Sequence, residues 1–174
     1  DRPMIEMPQG TPDPQTTLPG GARARPPAID GVEIHPLSNI LTRSGHMSEI
    51  YRDDWPWGGY AIRQINWVEL APGAVTDWHR HMDQTDHLLA VGGHIKLALL
   101  DGRDDSPTRG KSDIIRLGAL SPVVVVVPPG VWHGLRNESG APAGYLNLAN
   151  QLYIHHQPDN HRLAPDDPQI AGLL

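Results

Sequence analysis

His79 and His81 stand two residues apart in Val75-Thr76-Asp77-Trp78-His79-Arg80-His81, a stretch whose composition predicts a strand. Side chains two apart on a strand project from one face. The two imidazoles are therefore expected to point together, with Asp77 on their side. After a polar loop over 82–85, Asp86 opens the next expected strand and returns to the histidine pair if the two strands are neighbours. Far along the chain a third imidazole, His133, follows the turn Pro128-Pro129-Gly130. Three imidazoles and one carboxylate suit a borderline or hard divalent ion, with water or substrate in the open positions. Iron, manganese, nickel, zinc and cobalt share that donor preference, so the expected cofactor is one divalent transition metal held by His79, His81, Asp86 and His133.

The other histidines carry less. His35, His46 and His94 read as hydrogen-bonded structural residues, and His155, His156 and His161 as solvated ones in a polar tail. Alternation sends His87 and Asp86 to opposite faces, so only one of them points inward. Trp78 and Trp132 have the opposite parity to the ligand candidates and are expected outside the barrel. Trp55 and Trp57 either cap the pocket mouth or close one end. Tyr145, Asn147 and Gln151 share a face of the last long strand; turned inward, they would be neutral hydrogen-bonding partners for a polar substrate.

The elements that must position these residues are strands. Candidates lie at 60–70, 75–81, 86–91, 94–100, 113–117, 123–127, 131–136 and 144–153, separated by Gly-, Pro- and Asp-rich turns. No stretch holds a helical period over three turns. Many short strands in one domain predict an all-β sandwich or barrel. Seven prolines crowd residues 1–30, where apolar residues are few; that segment reads as an extended or disordered arm. The barrel is expected over 31–156, and 157–174 as a tail packed on it.

Composition narrows the function classes. The chain has 174 residues, a formal charge of −6 and no cysteine. A mildly acidic chain with scattered arginines is not built to neutralise phosphates, so no nucleic-acid partner is expected. Without cysteine there are no disulfides, thiolate metal sites or thiol nucleophiles. No apolar run reaches the roughly 20 residues of a membrane span, and no export feature opens the sequence, so a cytoplasmic protein off the membrane is expected. The partners expected are a small-molecule substrate and a second copy of the chain in a homodimer.

The spacing of the histidines resembles that of the cupin superfamily. Gly73, His79, His81, Asp86 and Gly93 fit the first cupin motif, with aspartate in place of the usual glutamate. Pro128, Gly130, His133 and Asn137 fit the second, although Pro122 stands where its opening glycine belongs. The resemblance covers residues 73–137 and implies a double-stranded β-helix, the cupin jelly-roll barrel. Within that superfamily, Val127-Pro128-Pro129-Gly130-Val131-Trp132-His133-Gly134, Asp105-Ser106-Pro107-Thr108-Arg109-Gly110 and Asp167-Pro168-Gln169-Ile170 resemble segments of dTDP-4-dehydrorhamnose 3,5-epimerases. This narrower resemblance implies that His79 is a catalytic base, His133 a second active-site histidine and Asp167 the carboxylate that orients the base.

The departures from that family pull the other way. Its arginine before the base falls near Thr76, its lysine near Asp86, its tyrosine acid near Asn147 and an active-site aspartate near Leu97. A carboxylate facing a developing enolate raises its energy, whereas a cation lowers it. A metal at the four-residue cluster would restore the lost positive charge as a Lewis acid. The expectation placed first is therefore a metal-dependent cupin enzyme of isomerase, lyase or dioxygenase type acting on a small oxygenated molecule. A metal-independent sugar-nucleotide epimerase or isomerase using His79 stands second, beside a non-catalytic cupin that binds a small molecule.

Overall fold

The computed structural model describes residues 7–55, 61–170 and 172–174. Its strands are β1 (Glu33–Pro36), β2 (Ile40–Thr42), β3 (Gly45–Met47), β4 (Gln64–Leu70), β5 (Trp78–Arg80) and β6 (Asp86–Val91). Then follow β7 (His94–Asp101), β8 (Ser112–Gly118), β9 (Val123–Val127), β10 (Val131–Asn137), β11 (Ala143–Ala149) and β12 (His161–Leu163). Two five-stranded sheets result, in the orders β1-β9-β6-β11-β4 and β12-β5-β10-β7-β8, while β2 and β3 form a separate hairpin. Every pairing is antiparallel. This is the all-β, double-stranded β-helix expected from the sequence. Among the described residues no helix is long and apolar enough to cross a membrane.

The core lies between the sheets, where Leu70, Leu88, Leu97, Leu99, Val125, Val131 and Leu135 pack together. The outer faces are covered too. Leu37, Ile50, Tyr51, Trp55 and Ile62 lie over Leu89, Val124 and Leu148 on one sheet. On the other, Trp78 is fully buried against Ile170, Leu163, Leu173, Leu174 and Trp132. Burying a large apolar side chain stabilises by about 2–3 kcal/mol. Coverage on both faces explains why β9 is five consecutive valines without alternation: Val125 and Val127 face the core, and Val124 faces the outer layer.

Four short strands escape the sequence pattern. β1 and β12 are sheet edges, formed because β9 and β5 offer an unpaired side rather than because their own residues alternate. The strand expected over 75–81 narrows to Trp78–Arg80, with Val75 held in a single bridge to Arg136. Near the end of the proline-rich arm, Ile29 is only 2 % exposed and enters the core. Arg23 anchors the arm through two hydrogen bonds, of 2.8 and 2.9 Å, to the Asp113 carboxylate.

Candidate active site

β5 and β10 are neighbours in one sheet, and their register sets His79 directly opposite His133. Their ring centroids are 4.0 Å apart, and that of His81 lies 5.5 Å from His79 and 5.9 Å from His133. Asp86 arrives from the facing sheet at the start of β6, on the same side as Leu88 in the core. Its neighbour His87 turns the other way and donates from Nδ1 to the Leu148 carbonyl at 2.9 Å, so Asp86 is the inward residue. The turn Pro128-Pro129-Gly130 is tied to the cluster: Gly130 N donates to the His81 carbonyl at 2.7 Å. Gly130 has φ of +82°, and a Cβ there would meet Arg103 Cγ at 2.5 Å, so both the backbone and its neighbour demand glycine.

Asp86 is completely buried. Nε2 of His133 lies 3.1 Å and Nε2 of His81 3.2 Å from its Oδ2. Gln84 Nε2 donates to its Oδ1 at 2.6 Å. Burial alone would push this carboxyl up, but the hydrogen bonds from His133 and His81 outweigh it and hold the group well below the usual carboxylate range. For His81 burial likewise opposes the charge, and the Asp86 contact raises its pKa nonetheless. His79 behaves differently. Burial first, then repulsion from His133, pushes it down to about 2, so it is a neutral imidazole.

The two histidines that face Asp86 are held from behind. His133 Nδ1 donates to the Val131 carbonyl at 3.1 Å, and His81 Nδ1 donates to the Asp159 carbonyl. Such contacts fix ring orientation and tautomer. Asp159 also caps the loop after β5: its carboxylate accepts from the backbone N–H groups of Met82 (2.7 Å), Asp83 (2.8 Å) and Gln84 (3.1 Å). The cluster opens onto a cavity of about 410 Å³ whose wall includes His79, His81, Asn147 and Gln151.

The donor atoms of His79, His81, Asp86 and His133 all lie within 4.8 Å of one another. Three imidazoles and a carboxylate fit a divalent ion by donor type. Three of them also close as a hydrogen-bonded cluster, since His81, His133 and Gln84 already occupy both oxygens of Asp86, whereas His79 Nδ1 is buried without a hydrogen-bond partner. The convergence expected from the sequence is therefore present, and two of the three substrate-contact candidates, Asn147 and Gln151, reach the cavity wall. Tyr145 does not. It sits in the core, where burial pushes its hydroxyl up to about 12.

Asp167 is a second correction. Its Oδ1 accepts from Gln169 N at 2.9 Å within a turn of the tail, and Ile170 of that turn packs on Trp78, on the side of β5 opposite to His79. It is a turn residue and orients no base. Asp77 is exposed and lies 3.8 Å from Arg162. Trp78 and Trp132 pack outside, with Arg80 stacked 4.7 Å from the Trp132 ring centroid. Trp55 joins the outer cover, while Trp57 lies outside the described residues. Sequence reasoning missed Gln64, Asn66, Gln84, Asp159 and Asn160, all on the cavity wall. The pairing of Asn66 with Asn147 across β4 and β11 is the only signal that sequence alternation could have exposed.

No family model matches the sequence. Individual proteins do. The chain is 32 % identical over 141 residues to the probable low-salt glycan biosynthesis epimerase Agl13 of Haloferax volcanii, covering 80 % of this chain and 90 % of that protein. It is 32 % identical over 143 residues to the spore coat polysaccharide biosynthesis protein SpsL of Bacillus subtilis, with 82 % and 94 % covered. Among solved structures, a dTDP sugar isomerase from Desulfovibrio desulfuricans superposes with a TM-score of 0.77 at 27 % identity, over 83 % of this chain and 90 % of that one. These relatives overturn the expectation placed first, a metal-dependent isomerase, lyase or dioxygenase, and favour the second. The donor set was misleading because imidazoles and a carboxylate that converge on a metal converge equally well on one another. The chain belongs to the family of cupin-fold sugar epimerases.

Proposed function

We propose that the protein is a metal-independent epimerase or isomerase of a nucleotide-linked keto sugar, with His79 as the base. The observation that carries this reading is an imidazole at the cavity wall, in register with a second histidine and beside the buried Asp86. Epimerisation beside a carbonyl removes a proton from carbon, leaves an enolate, and returns a proton to the opposite face. A neutral imidazole is the form that accepts the proton. Once protonated, His79 sits beside the ionised Asp86, whose charge favours the imidazolium.

The aspartate near the family's lysine position raised an objection, since a bare carboxylate would oppose an enolate. The contacts of Asp86 answer it. Both oxygens are engaged, by His81 and His133 on one side and Gln84 on the other, so no free carboxylate edge is left to meet developing negative charge. The N–H groups of the wall are the available donors to such an oxyanion.

The test is proton exchange. In deuterated water a dTDP-4-keto-6-deoxy sugar should take up deuterium at a carbon beside the keto group, as read by NMR, and exhaustive chelation should leave the rate unchanged. Absence of exchange, or exchange lost with chelator and restored by one metal, would refute the reading.

A further inference from the structure

Over the whole chain acids outnumber lysines and arginines, 20 to 14, but one face departs from that balance. In the sheet β12-β5-β10-β7-β8 the register sets Arg136 of β10 opposite Lys96 of β7, and Lys96 opposite Arg116 of β8. All three point away from the core. Lys96 shares a face with Ala98, and Arg136 with Trp132, both in the outer cluster, while the adjacent Ile95, Leu97, Ile115, Leu117 and Leu135 fill the interior. Strands lie about 4.8 Å apart, so the three cations stand in a row roughly 10 Å long. Like charges directly opposite one another destabilise a sheet. Folding alone does not favour such a row; an anion laid across it does.

The row runs into a cleft. Arg116 also lines a cavity of about 920 Å³ between the barrel and the proline-rich arm, together with Arg23 and Arg25 of the arm and the aliphatic Ile34, Ile114 and Pro122. The arm turns back on itself here: Leu18 N donates to Ala22 O at 2.7 Å and Ala24 N to Thr16 O at 3.0 Å, with Gly20 and Gly21 at φ of +90° and +83°. Ala28 N donates to Asp113 Oδ2 at 2.9 Å, beside the Arg23 contacts. Two carboxylates are paired with this group of cations. Asp113 takes Arg23, and Glu138 takes Arg116 at 2.9 Å and lies 3.7 Å from His94. Arg23, Arg25, Lys96, Arg116 and Arg136 against two carboxylates leave a surplus of positive charge. β1 and β8 end their sheets on this side, whereas the cavity of His79 lies at the opposite ends, with β4 and β12.

We propose that this face is a second binding site, for a phosphate ester of an aliphatic alcohol. Guanidinium groups hold phosphate oxygens through paired, charge-assisted hydrogen bonds, and a lysine adds a point charge. The head group lies over Lys96, Arg116 and Arg136. The apolar chain enters the cleft between Ile34 and Ile114, under the arm that carries Arg25, and its burial there adds affinity in proportion to the area covered. A cleft of this size accommodates such a ligand. The site lies apart from the His79 cavity and stands whether or not the epimerase reading holds.

Calorimetry on the full chain tests it, with decyl phosphate below its micelle concentration as the probe and butyl phosphate, inorganic phosphate and decyl glucoside as comparisons. Decyl phosphate should bind at least about tenfold more tightly than each comparison. Its Kd should rise at least about fivefold between roughly 0.05 and 0.5 M salt, as screening weakens the charge contacts. Lys96→Gln combined with Arg136→Gln should weaken it at least about fivefold without lowering the thermal midpoint, because opposed like charges are removed. Arg25→Gln, on the arm, makes the same comparison away from the sheet. Ile114→Ser should bring decyl phosphate down toward butyl phosphate. Decyl phosphate bound no better than decyl glucoside, or bound equally by the folded variants, would overturn the proposal. So would a parallel loss of dTDP affinity in the same variants, which would make this face part of a nucleotide site. Deuterium exchange into a keto sugar should be the same in all of them, so the two readings fail separately. Exchange without decyl phosphate binding removes this proposal alone, and decyl phosphate binding without exchange removes the epimerase reading alone.

Discussion

Two aspartates in this protein are completely buried and ionised, and they are held in opposite ways. Asp101, at the end of β7, is enclosed by its own loop. Arg103 Nε donates to Oδ1 at 2.8 Å, while Ser106 Oγ (2.5 Å) and Thr108 Oγ1 (2.6 Å) donate to Oδ2, all from within seven residues. Asp86 is held by groups from three places: His81 after β5, His133 on β10 in the same sheet, and Gln84 in the loop before β6. A carboxylate satisfied locally by an always-charged guanidinium and two hydroxyls fastens a loop. A carboxylate surrounded by imidazoles from distant strands, with a cavity on one side, has partners that can exchange protons. The contrast teaches that burial of a charge does not mark a reactive site; the partners that compensate it do.

The sharpest way to break the contrast is at His79. His79→Ala should lower deuterium exchange into a keto sugar by about a thousandfold, some 4 kcal/mol of transition-state stabilisation, because general acid–base groups contribute roughly 10²–10⁴-fold. Its unfolding midpoint should stay close to that of the parent chain, since the substitution removes a ring whose Nδ1 is buried without a hydrogen-bond partner. A loss of exchange below tenfold would put the base elsewhere.

Asp101→Asn should do the reverse. The half-buried Arg103 guanidinium loses its counter-charge, and urea denaturation should show a loss of about 2 kcal/mol, with exchange per folded molecule unchanged. Acid titration sharpens this. Burial would raise the Asp101 carboxyl, but the hydrogen bonds from Arg103, Ser106 and Thr108 depress it. Its stabilisation is therefore fully present above the ordinary carboxylate value of about 4, and is lost as pH falls through the lower folded value. The stability difference between parent and Asp101→Asn should be flat from about pH 5 to 8 and shrink below about pH 4. A difference that grows on acidification would contradict the assignment of an ionised Asp101.

The same two regions show how far the sequence could be read. The barrel was legible because its central strands, β6 through β11, alternate or run apolar as buried strands must. The convergence of His79, His81, Asp86 and His133 was legible because strand parity and two adjacent hairpins determine it. The purpose of that convergence was not, because the same donors serve a metal or one another. Ser106 and Thr108 stood out as a family segment, yet here they hold Asp101 on a loop. Asp167 was misread for a related reason. A short resemblance places a residue in a family but not on a face, and Ile170 carries that turn to the outside of Trp78. The carboxamide wall stayed hidden because polar residues alternating along β4 look the same whether they face a cavity or solvent. In this strand Ile65 and Trp67 are exposed at 58 % and 71 %, and Asn66, although exposed as well, lines the cavity with Gln64.

Asp159 was invisible for another reason, and it supplies the smallest of the expected effects. It lies in a polar tail whose one strand among the described residues, β12, exists by pairing with β5. Once there, its carboxylate gathers three backbone N–H groups of the 82–84 loop and its carbonyl holds His81. Removing the carboxylate frees the loop that carries Gln84 and relaxes the carbonyl that orients His81, while Gln64, Asn66 and Asn147 stay in place on β4 and β11. Asp159→Ala should therefore lower kcat by about tenfold, roughly 1.4 kcal/mol, and leave the KM for the sugar within about twofold. Asp159→Asn keeps one carbonyl acceptor for those N–H groups and should recover part of the lost rate. A variant that raised KM with kcat intact would mean that Asp159 contacts the substrate, and the division between a wall that binds and a cluster that reacts would have to be redrawn around it.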